Sequence, residues 1–260
     1  MTGRGSNNIR TSVELTSKLT FFMHPASLSI YQEQEDLILQ SAAKCIEASS
    51  LLDFTMAAIS SEAGLSMGSI YKHIQSKEDV LVALGYRSHI HFEKLARTVL
   101  ALPLPITARI VAVQLVDAQH NSPYSFGSQL MALLGNEAIL RRASPGWLEK
   151  YLTRDIAVER LFQQQLLEAA NSGELNIEAA NRELLVNEIT TAIWSLCVGH
   201  TQVTRQRNVR TLVAETLRLE TNSTIVRALQ RLMNTYPWRT PLTDELLELS
   251  SRMLTEHGLR

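Results

Sequence analysis

The chain has 260 residues, 45% of them apolar and 20% charged, and its formal net charge is −1. This length predicts a small domain and a larger one, and the apolar fraction is enough for packed cores. The near-neutral charge excludes a protein that holds nucleic acid by an overall basic field, so any contact with nucleic acid has to be local.

The two cysteines, Cys45 and Cys197, show neither metal-ligand spacing nor a paired framework, so we interpret both as buried, reduced thiols. The chain contains no apolar run long enough to cross a bilayer. The apolar stretch at residues 19–23 is too short for the core of a secretory signal. We therefore expect a cytoplasmic protein that makes no contact with a membrane.

Residues 1–30 predict a poorly structured arm, because the segment opens with glycine, serine and asparagine and lacks a helical pattern. It carries Arg4, Arg10 and Lys18 against a single acid, Glu14. Two interpretations stay open: a basic arm that reaches the DNA minor groove, or a tail without a role.

A first helix is predicted over residues 32–49, where apolar side chains recur at steps of three and four residues. The residues of this buried stripe are Leu37, Ile38, Ala42, Cys45 and Ile46.

Residues 55–77 predict two short helices joined by a glycine turn, followed by the start of a third. Thr55 is expected to cap the first of these helices, Gly64 to make the turn, and Ser66 to cap the second. The expected apolar contacts between them come from Ile59, Leu65, Ile70 and Ile74. This arrangement is the helix-turn-helix, whose second helix enters the DNA major groove.

The second helix is predicted to present an outward face with small side chains near its beginning. That face contains Met67, Gly68, Ser69, Lys72 and His73, with Tyr71 on its flank. Residues 63–77 contain two lysines and no acid, whereas residues 31–77 contain three lysines and six acids, a net charge of −3. DNA binding therefore requires the acids to lie on the far side of helix one.

A long helix is predicted over residues 77–101, with a capping-box pattern formed by Ser76 and Asp79 at its start. Its apolar seam consists of Leu81, Leu84, Ser88, Phe92, Leu95, Val99 and Leu102. Pro103 and Pro105 end it. Lys77 lies in its first turn, where a bound phosphate would offset the unfavourable helix dipole; a merely solvated side chain is the alternative.

Residues 105–260 show helical patterns and no strand pattern. The predicted helices span 106–119, 126–141, 145–171, 178–204, 209–219, 223–235 and 242–257. The predicted fold class is all-α, with a three-helix helix-turn-helix head joined by a long helix to a helical bundle. The predicted domains are the arm at 1–30, the head at 31–80 and the bundle at 81–260.

The head resembles the TetR family of bacterial transcriptional regulators. The resemblance runs from Ile38 to about Leu84 and includes IL-x-S-A at 38–42, AGLS-x-GSIYKHI at 63–74 and SKEDVL at 76–81. The chain departs from the family pattern at Ile46, Ser50 and Ser60, and none of these changes removes a DNA contact. Family members begin shortly before helix one, so a native start at Met23 is a third interpretation of the arm.

The resemblance implies a homodimer that places two recognition helices in successive major grooves of a palindromic operator. It implies base-facing roles for Ala57, Met67, Gly68, Ser69 and Lys72. It implies phosphate contacts for Thr55, Tyr71, His73 and Lys77.

The resemblance also implies a ligand-binding and dimerisation domain at residues 81–260, with a small-molecule effector of unknown identity. Candidate lining residues of its pocket are Phe126, Met131, Trp147, Tyr151, Phe162, Trp194, Cys197 and His200. Ordinary core packing is the alternative for each. His120 and His200 lack partners at metal-ligand spacing, so we expect no metal, and no cofactor is indicated.

The predicted helices at 178–204 and 223–235 are expected to form the dimer interface, as the resemblance implies, with internal core helices as the alternative. Residues 201–240 carry seven arginines and two glutamates. Ion pairing with neighbouring acids is one interpretation, and recognition of an anionic ligand or partner is the other.

The sequence thus predicts a DNA-binding transcriptional regulator, a repressor gated by a small ligand. The alternative is a dimeric DNA-binding protein without an inducer, regulated by protein partners. An enzyme is not expected, because the chain lacks a nucleophile motif, a phosphate loop and paired carboxylates in a plausible cleft.

Overall fold

The computed structural model describes residues 25–118, 120–211 and 218–260. Residues 1–24 of the predicted arm lie outside these ranges, as do residues 212–217 of the predicted helix at 209–219. Within the described ranges the chain is helical, and one isolated antiparallel bridge joins Leu175 and Trp238. The predicted all-α fold class is confirmed.

Eleven α-helices are found in the described ranges. They are α1 (Pro25–Ala48), α2 (Met56–Ala63), α3 (Met67–His73), α4 (Lys77–Leu100), α5 (Ile106–Ala112), α6 (Gly127–Leu134), α7 (Glu137–Leu140), α8 (Pro145–Ser172), α9 (Arg182–Thr211), α10 (Thr224–Met233) and α11 (Asp244–Glu256). Short 3-10 helices at Val113–Leu115 and Ala179–Asn181 extend α5 and precede α9.

The chain divides into two compact units. The first unit contains the described residues up to Gly85 together with Leu133–Tyr151, and we call it the head unit. The second contains Tyr86–Ala132 and the described residues from Leu152 onward, and we call it the bundle unit. Because α8 begins at Pro145, its first two turns belong to the head unit.

The core of the head unit is formed by α1, α2 and α3. Ile38 of α1, Ile59 of α2 and Ile70 of α3 are fully buried, as is Ile74 after α3. Leu65, which we expected to make apolar contacts between α2 and α3, is only half-buried. Three aliphatic side chains, one from each helix, therefore fix the helix-turn-helix against α1.

The core of the bundle unit surrounds α5, a short helix with buried side chains on every side. The residues Ile106, Ala108, Ile110, Val111 and Ala112 of α5 are all buried. Helices α10 and α11 pack directly on α5. A helix that is apolar all round requires such cover from several neighbours.

Several predicted boundaries differ from the structure. Helix α1 begins at Pro25, not at residue 32, because proline is favourable in a first turn and nothing in the next residues breaks the helix. The predicted helix at 126–141 is two helices, and the Asn136 side chain caps the second. The predicted break before residue 209 is wrong, because α9 continues to Thr211.

Candidate DNA-binding surface

Helix α2 has the caps that its sequence predicts. Thr55 lies just before the helix, and its Oγ1 atom accepts a hydrogen bond from the Ala58 N–H at 3.1 Å. Gly64 ends the helix with φ of 63°, a left-handed conformation that glycine adopts without strain. Helix α2 is thus bounded by a hydroxyl cap at its start and by a glycine at its end, where the turn to α3 begins.

Helix α3, the expected recognition helix, starts at a serine cap. The Ser66 Oγ atom accepts from the Ser69 N–H at 3.2 Å and lies 3.0 Å from the Ser69 hydroxyl. A Cβ added at Gly68 would meet only the Ser66 Oγ atom, at 3.9 Å, so the backbone is open on that side. A ligand can therefore approach the first turn of α3 closely.

The structure exposes most of the residues for which the resemblance implies DNA contacts. Tyr71 is 46% exposed. Thr55, Ala57, Gly68 and Lys72 are also exposed, whereas Met67, Ser69 and Lys77 are half-buried. These side chains come from the start of α2, from α3 and from the start of α4, all within the head unit.

His73 was predicted to face outward, and that placement is wrong. Its side chain is 7% exposed, its ring centroid lies 4.0 Å from that of Tyr31, and its Nε2 atom lies 3.3 Å from the Gln34 Oε1 atom. His73 follows the buried Ile70 by three residues, which places both on one face of the helix. Burial lowers the pKa of His73, and the nearby Glu35 carboxylate opposes this shift.

The Lys77 side chain contacts the turn before α2. Its Nζ atom donates a hydrogen bond to the Leu52 carbonyl oxygen at 2.8 Å and lies 4.6 Å from the centroid of the Phe54 ring. The ammonium group therefore has one fixed position beside the helix-turn-helix, and it is not simply solvated.

The six acids of residues 31–77 belong to α1, α2 and the turn between them, and α3 carries none. The Glu62 carboxylate pairs with Lys44 at 3.0 Å, and the Glu35 carboxylate lies 3.5 Å from the Lys150 ammonium. Asp53 accepts a hydrogen bond from the Ser50 hydroxyl at 2.7 Å. Three of these acids are thus engaged by a lysine or a serine, although Glu35 also lies near His73 at the end of α3.

The predicted capping box at the start of α4 is only half present, because the Asp79 carboxylate accepts from Gln75 and not from Ser76. The Asp79 N–H donates to the Ser76 Oγ atom at 3.0 Å, and the Asp79 Oδ2 atom accepts from the Gln75 N–H at 2.8 Å. Asp79 is fully buried, and its Oδ1 atom accepts a further hydrogen bond from the Ser144 N–H at 2.5 Å. One carboxylate thus links the start of α4 to the residue that precedes α8.

The eight predicted pocket residues are divided between the two units. Trp147 and Tyr151 are buried within the head unit, whereas the other six belong to the bundle unit. Those six are Phe126, Met131, Phe162, Trp194, Cys197 and His200. Phe126 is buried, Trp194 is 42% exposed, and the remaining four are half-buried.

Two cavities in the described part of the bundle unit are open to solvent. The first is a groove of about 320 Å³ lined by Glu159, Thr191, Trp194, Ser195 and Val198. The second, of about 260 Å³, is lined by Asp117, His120, Asn121, Arg218, Gly258 and Arg260. Of the predicted pocket residues, Trp194 alone lines one of these two cavities.

Neither cysteine is paired, and burial raises the pKa of Cys197 to about 11. Among the described residues, no cluster of three histidine, cysteine or acidic side chains is arranged to hold a metal ion. None of the described helices is both long enough and apolar enough to span a bilayer.

Sequence reasoning missed Tyr31 and Trp147, which contact the end of α3. The Tyr31 hydroxyl donates to the Lys72 carbonyl oxygen at 3.3 Å, and the Trp147 indole Nε1–H donates to the His73 carbonyl oxygen at 2.9 Å. The partners lie 41 and 74 residues apart in the chain. No local pattern in the sequence signals contacts over such separations.

Solved structures share the fold of this chain at low sequence identity. RolR in complex with resorcinol is 14% identical with a TM-score of 0.53; the match covers 86% of this chain and 96% of RolR. FadR from Bacillus subtilis in complex with stearoyl-CoA is 16% identical with a TM-score of 0.50, over 74% of this chain and 96% of FadR. AmtR from Mycobacterium smegmatis is 18% identical with a TM-score of 0.50, and the match covers 86% of this chain and 93% of AmtR.

No curated protein matches this chain. Residues 38–84 match the model of a family described as bacterial regulatory proteins, tetR family. The matched residues contain all of α2 and α3, the second half of α1 and the start of α4, which are the elements that carry the exposed residues above. Residues 38–84 therefore carry the helix-turn-helix region of the tetR family of bacterial regulatory proteins, which supports a DNA-binding transcriptional regulator.

Proposed function

We propose that this regulator is a repressor that binds a palindromic operator as a homodimer, with α3 in the major groove. The observation that carries this proposal is the exposed side of α3, which combines an open backbone at Gly68 with Tyr71 and Lys72 and contains no acid. Short side chains let the backbone approach base edges, and the lysine is suited to the acceptor atoms of guanine.

We assign base contacts to Ala57, Met67, Gly68, Ser69 and Lys72, and phosphate contacts to Thr55, Tyr71 and Lys77. His73 is left out of this assignment, because its side chain is buried between α1 and α3. Phosphate contacts supply affinity for any sequence, whereas base contacts supply the preference for one operator.

Dimerisation is proposed through α8 and α9 of the bundle unit. Helix α9 exposes Leu184 to 71% and Trp194 to 42%, together with Val198, and α8 exposes Leu152 and Ile156. Apolar surface of this kind is typical of an interface, and tryptophan is a frequent anchor at interface centres.

Helix α10 was also expected in the interface. Its apolar residues Ile225, Val226, Leu229 and Met233 are buried within their own unit. We therefore restrict the proposed interface to α8 and α9.

A small-molecule effector is proposed by analogy with the solved structures, two of which contain resorcinol and stearoyl-CoA. A ligand would act by binding more tightly to the conformation that releases DNA. The second candidate is a regulator without an inducer, controlled by protein partners.

Selection of bound duplexes from a random DNA library tests the proposed function. The expected result is a palindromic consensus that the Lys72→Ala variant alters and the Lys94→Ala variant does not, since Lys94 lies on α4 in the bundle unit. Selection of no consensus by the wild-type protein would overturn the proposal. A reporter gene with the operator inside its promoter then distinguishes a repressor from an activator.

Native mass spectrometry of the protein purified from bacterial cytoplasm tests the effector. A bound small molecule whose addition releases operator DNA supports gating. Two results together support the second candidate. The purified protein carries no ligand, and its operator binding is unchanged by a cell extract from which the proteins have been removed.

A further inference from the structure

The end of α3 lacks the left-handed turn that caps many helices, and the Ile74 N–H donates only to the Ile70 carbonyl oxygen. The helix has seven residues, and Ile74 after it is extended, with φ of −139° and ψ of 118°, so no glycine turn folds back onto the last carbonyl groups. Buried carbonyl groups at a helix end require partners from elsewhere in the chain. A helix this short also depends on tertiary contacts for its position.

Two aromatic side chains supply those partners. The Tyr31 hydroxyl of α1 donates to the Lys72 carbonyl oxygen at 3.3 Å, and the Trp147 indole N–H of α8 donates to the His73 carbonyl oxygen at 2.9 Å. Trp147 is 4% exposed, so its hydrogen bond is shielded from water. These bonds hold the backbone at the turn from which Lys72 extends.

The first two turns of α8 contact the other helices of the head as well. The N–H of Ser144, directly before α8, donates to the buried Asp79 carboxylate of α4 at 2.5 Å. The Lys150 ammonium lies 3.5 Å from the Glu35 carboxylate of α1 and 4.1 Å from the centroid of the Trp147 ring. The segment from Ser144 to Lys150 thus contacts α1, α3 and α4, each through one polar group.

We propose that this segment is part of the DNA-binding head, and that Trp147 is a positioning residue that fixes the end of α3 so that Lys72 can read its base pair. The inference rests on the proposed function of α3. It extends that function, because it assigns a role in operator recognition to a residue outside the helix-turn-helix and outside residues 38–84. Trp147 itself touches no DNA in this account.

The sharpest variant replaces Trp147 by benzothienylalanine, which keeps the ring shape and lacks the N–H donor. Trp147→Phe is the simpler companion variant. Trp238→Phe is the matched control, because the buried Trp238 indole N–H has no hydrogen-bond partner among the described residues. The control therefore changes ring size in the bundle unit without removing a hydrogen bond.

Loss of the donor leaves the His73 carbonyl unsatisfied, and we expect operator affinity to fall about tenfold in both Trp147 variants. The Trp238→Phe variant should bind operator as the wild type does. A purely structural role of Trp147 would weaken binding equally in a Lys72→Ala background. A positioning role predicts a smaller loss there, because the contact that Trp147 supports is already absent.

Wild-type operator affinity and unchanged base preference in the benzothienylalanine variant would overturn the inference, as would full additivity with Lys72→Ala. The exchange rates of the indole protons, measured by NMR, distinguish failure of this inference from failure of the proposed function. If the wild-type protein selects no operator, the proposed function fails by itself. A rapidly exchanging Trp147 indole proton would then refute the hydrogen bond independently of DNA.

Discussion

Gly85 of α4 lies so close to Leu134 of α6 that a Cβ atom at position 85 would overlap the Leu134 Cδ1 atom. The same Cβ would lie 3.1 Å from the Cε2 atom of Tyr151. Leu134 and Tyr151 are both buried, so neither side chain has free space to move into. Helix α4 therefore needs glycine here, where helix propensity alone would favour almost any other residue.

We expect Gly85→Ala to lower the free energy of unfolding by roughly 1 kcal/mol, because overpacking costs about 1–3 kcal/mol and alanine regains about 1 kcal/mol of helix propensity. Urea denaturation followed by circular dichroism measures this change. Gly146→Ala in α8 is the matched control, since its Cβ would meet no atom within 4 Å. Equal stability of the two variants would contradict the packing argument.

The Thr55 cap gives a second prediction about stability. Thr55→Ala removes the acceptor for the Ala58 N–H and should lower the free energy of unfolding by about 1 kcal/mol. Thr55→Ser keeps an oxygen acceptor and should retain most of this stability. If both variants lost the same amount in urea denaturation, the lost methyl contacts and not the cap would explain the effect.

The fold class and the helix-turn-helix follow from local features of the sequence. The hydroxyl groups of Thr55, Ser66 and Ser76 and the glycine at 64 act over three or four residues, and all four have the predicted caps or turn. Such short-range chemistry is visible in a single sequence.

Other features of the head were not predictable, because they depend on contacts between distant segments. The burial of His73 against Tyr31 requires knowledge of how α1 crosses α3. The assignment of Trp147 to the head requires knowledge that α8 starts beside α3. The ligand pocket was inferred from the resemblance and not from residue spacing, and it stays a prediction.

Lys77 and Lys72 should differ in their effects on DNA binding. Lys77→Gln should weaken binding to all sequences alike and reduce the slope of log affinity against log salt by about two, because each subunit of the proposed homodimer loses one phosphate contact. Lys72→Gln should instead change which base pair is preferred. Fluorescence anisotropy over a salt series, with the selected operator and a scrambled duplex, measures both effects. An unchanged salt slope for Lys77→Gln would refute its phosphate contact.

The pKa of His73 makes the stability of the head depend on pH. Burial lowers this pKa below its unfolded value, with opposition from Glu35 and support from Lys72 and Lys150. The unfolded chain therefore binds a proton that the folded head excludes, and stability falls as pH falls from about 6.5 towards the folded pKa. Above about pH 6.5 the contribution of His73 to the stability of the head is fully present.

Urea denaturation between about pH 7.5 and about pH 5.5 tests this dependence. The His73→Gln variant should lose less stability over this range than the wild type. His89 of the bundle unit also has a pKa lowered by burial and opposed by Asp155, so His89→Gln must be measured in parallel. An identical pH dependence for His73→Gln and the wild type would show that His73 does not contribute.

The exposed apolar side of α9 gives the last prediction, which concerns the dimer. Val198 is 56% exposed and lines the same groove as Trp194. If this side of α9 forms the interface, Val198→Glu places one unpaired charge from each subunit in apolar surroundings and should convert the protein to a monomer. Sedimentation velocity measures the change, and operator affinity should fall with it, because each subunit contributes one recognition helix.

Leu249→Glu is the control, since Leu249 is an exposed apolar residue of α11, outside the proposed interface. A Val198→Glu protein that remains dimeric, or a Leu249→Glu protein that dissociates, would place the interface elsewhere.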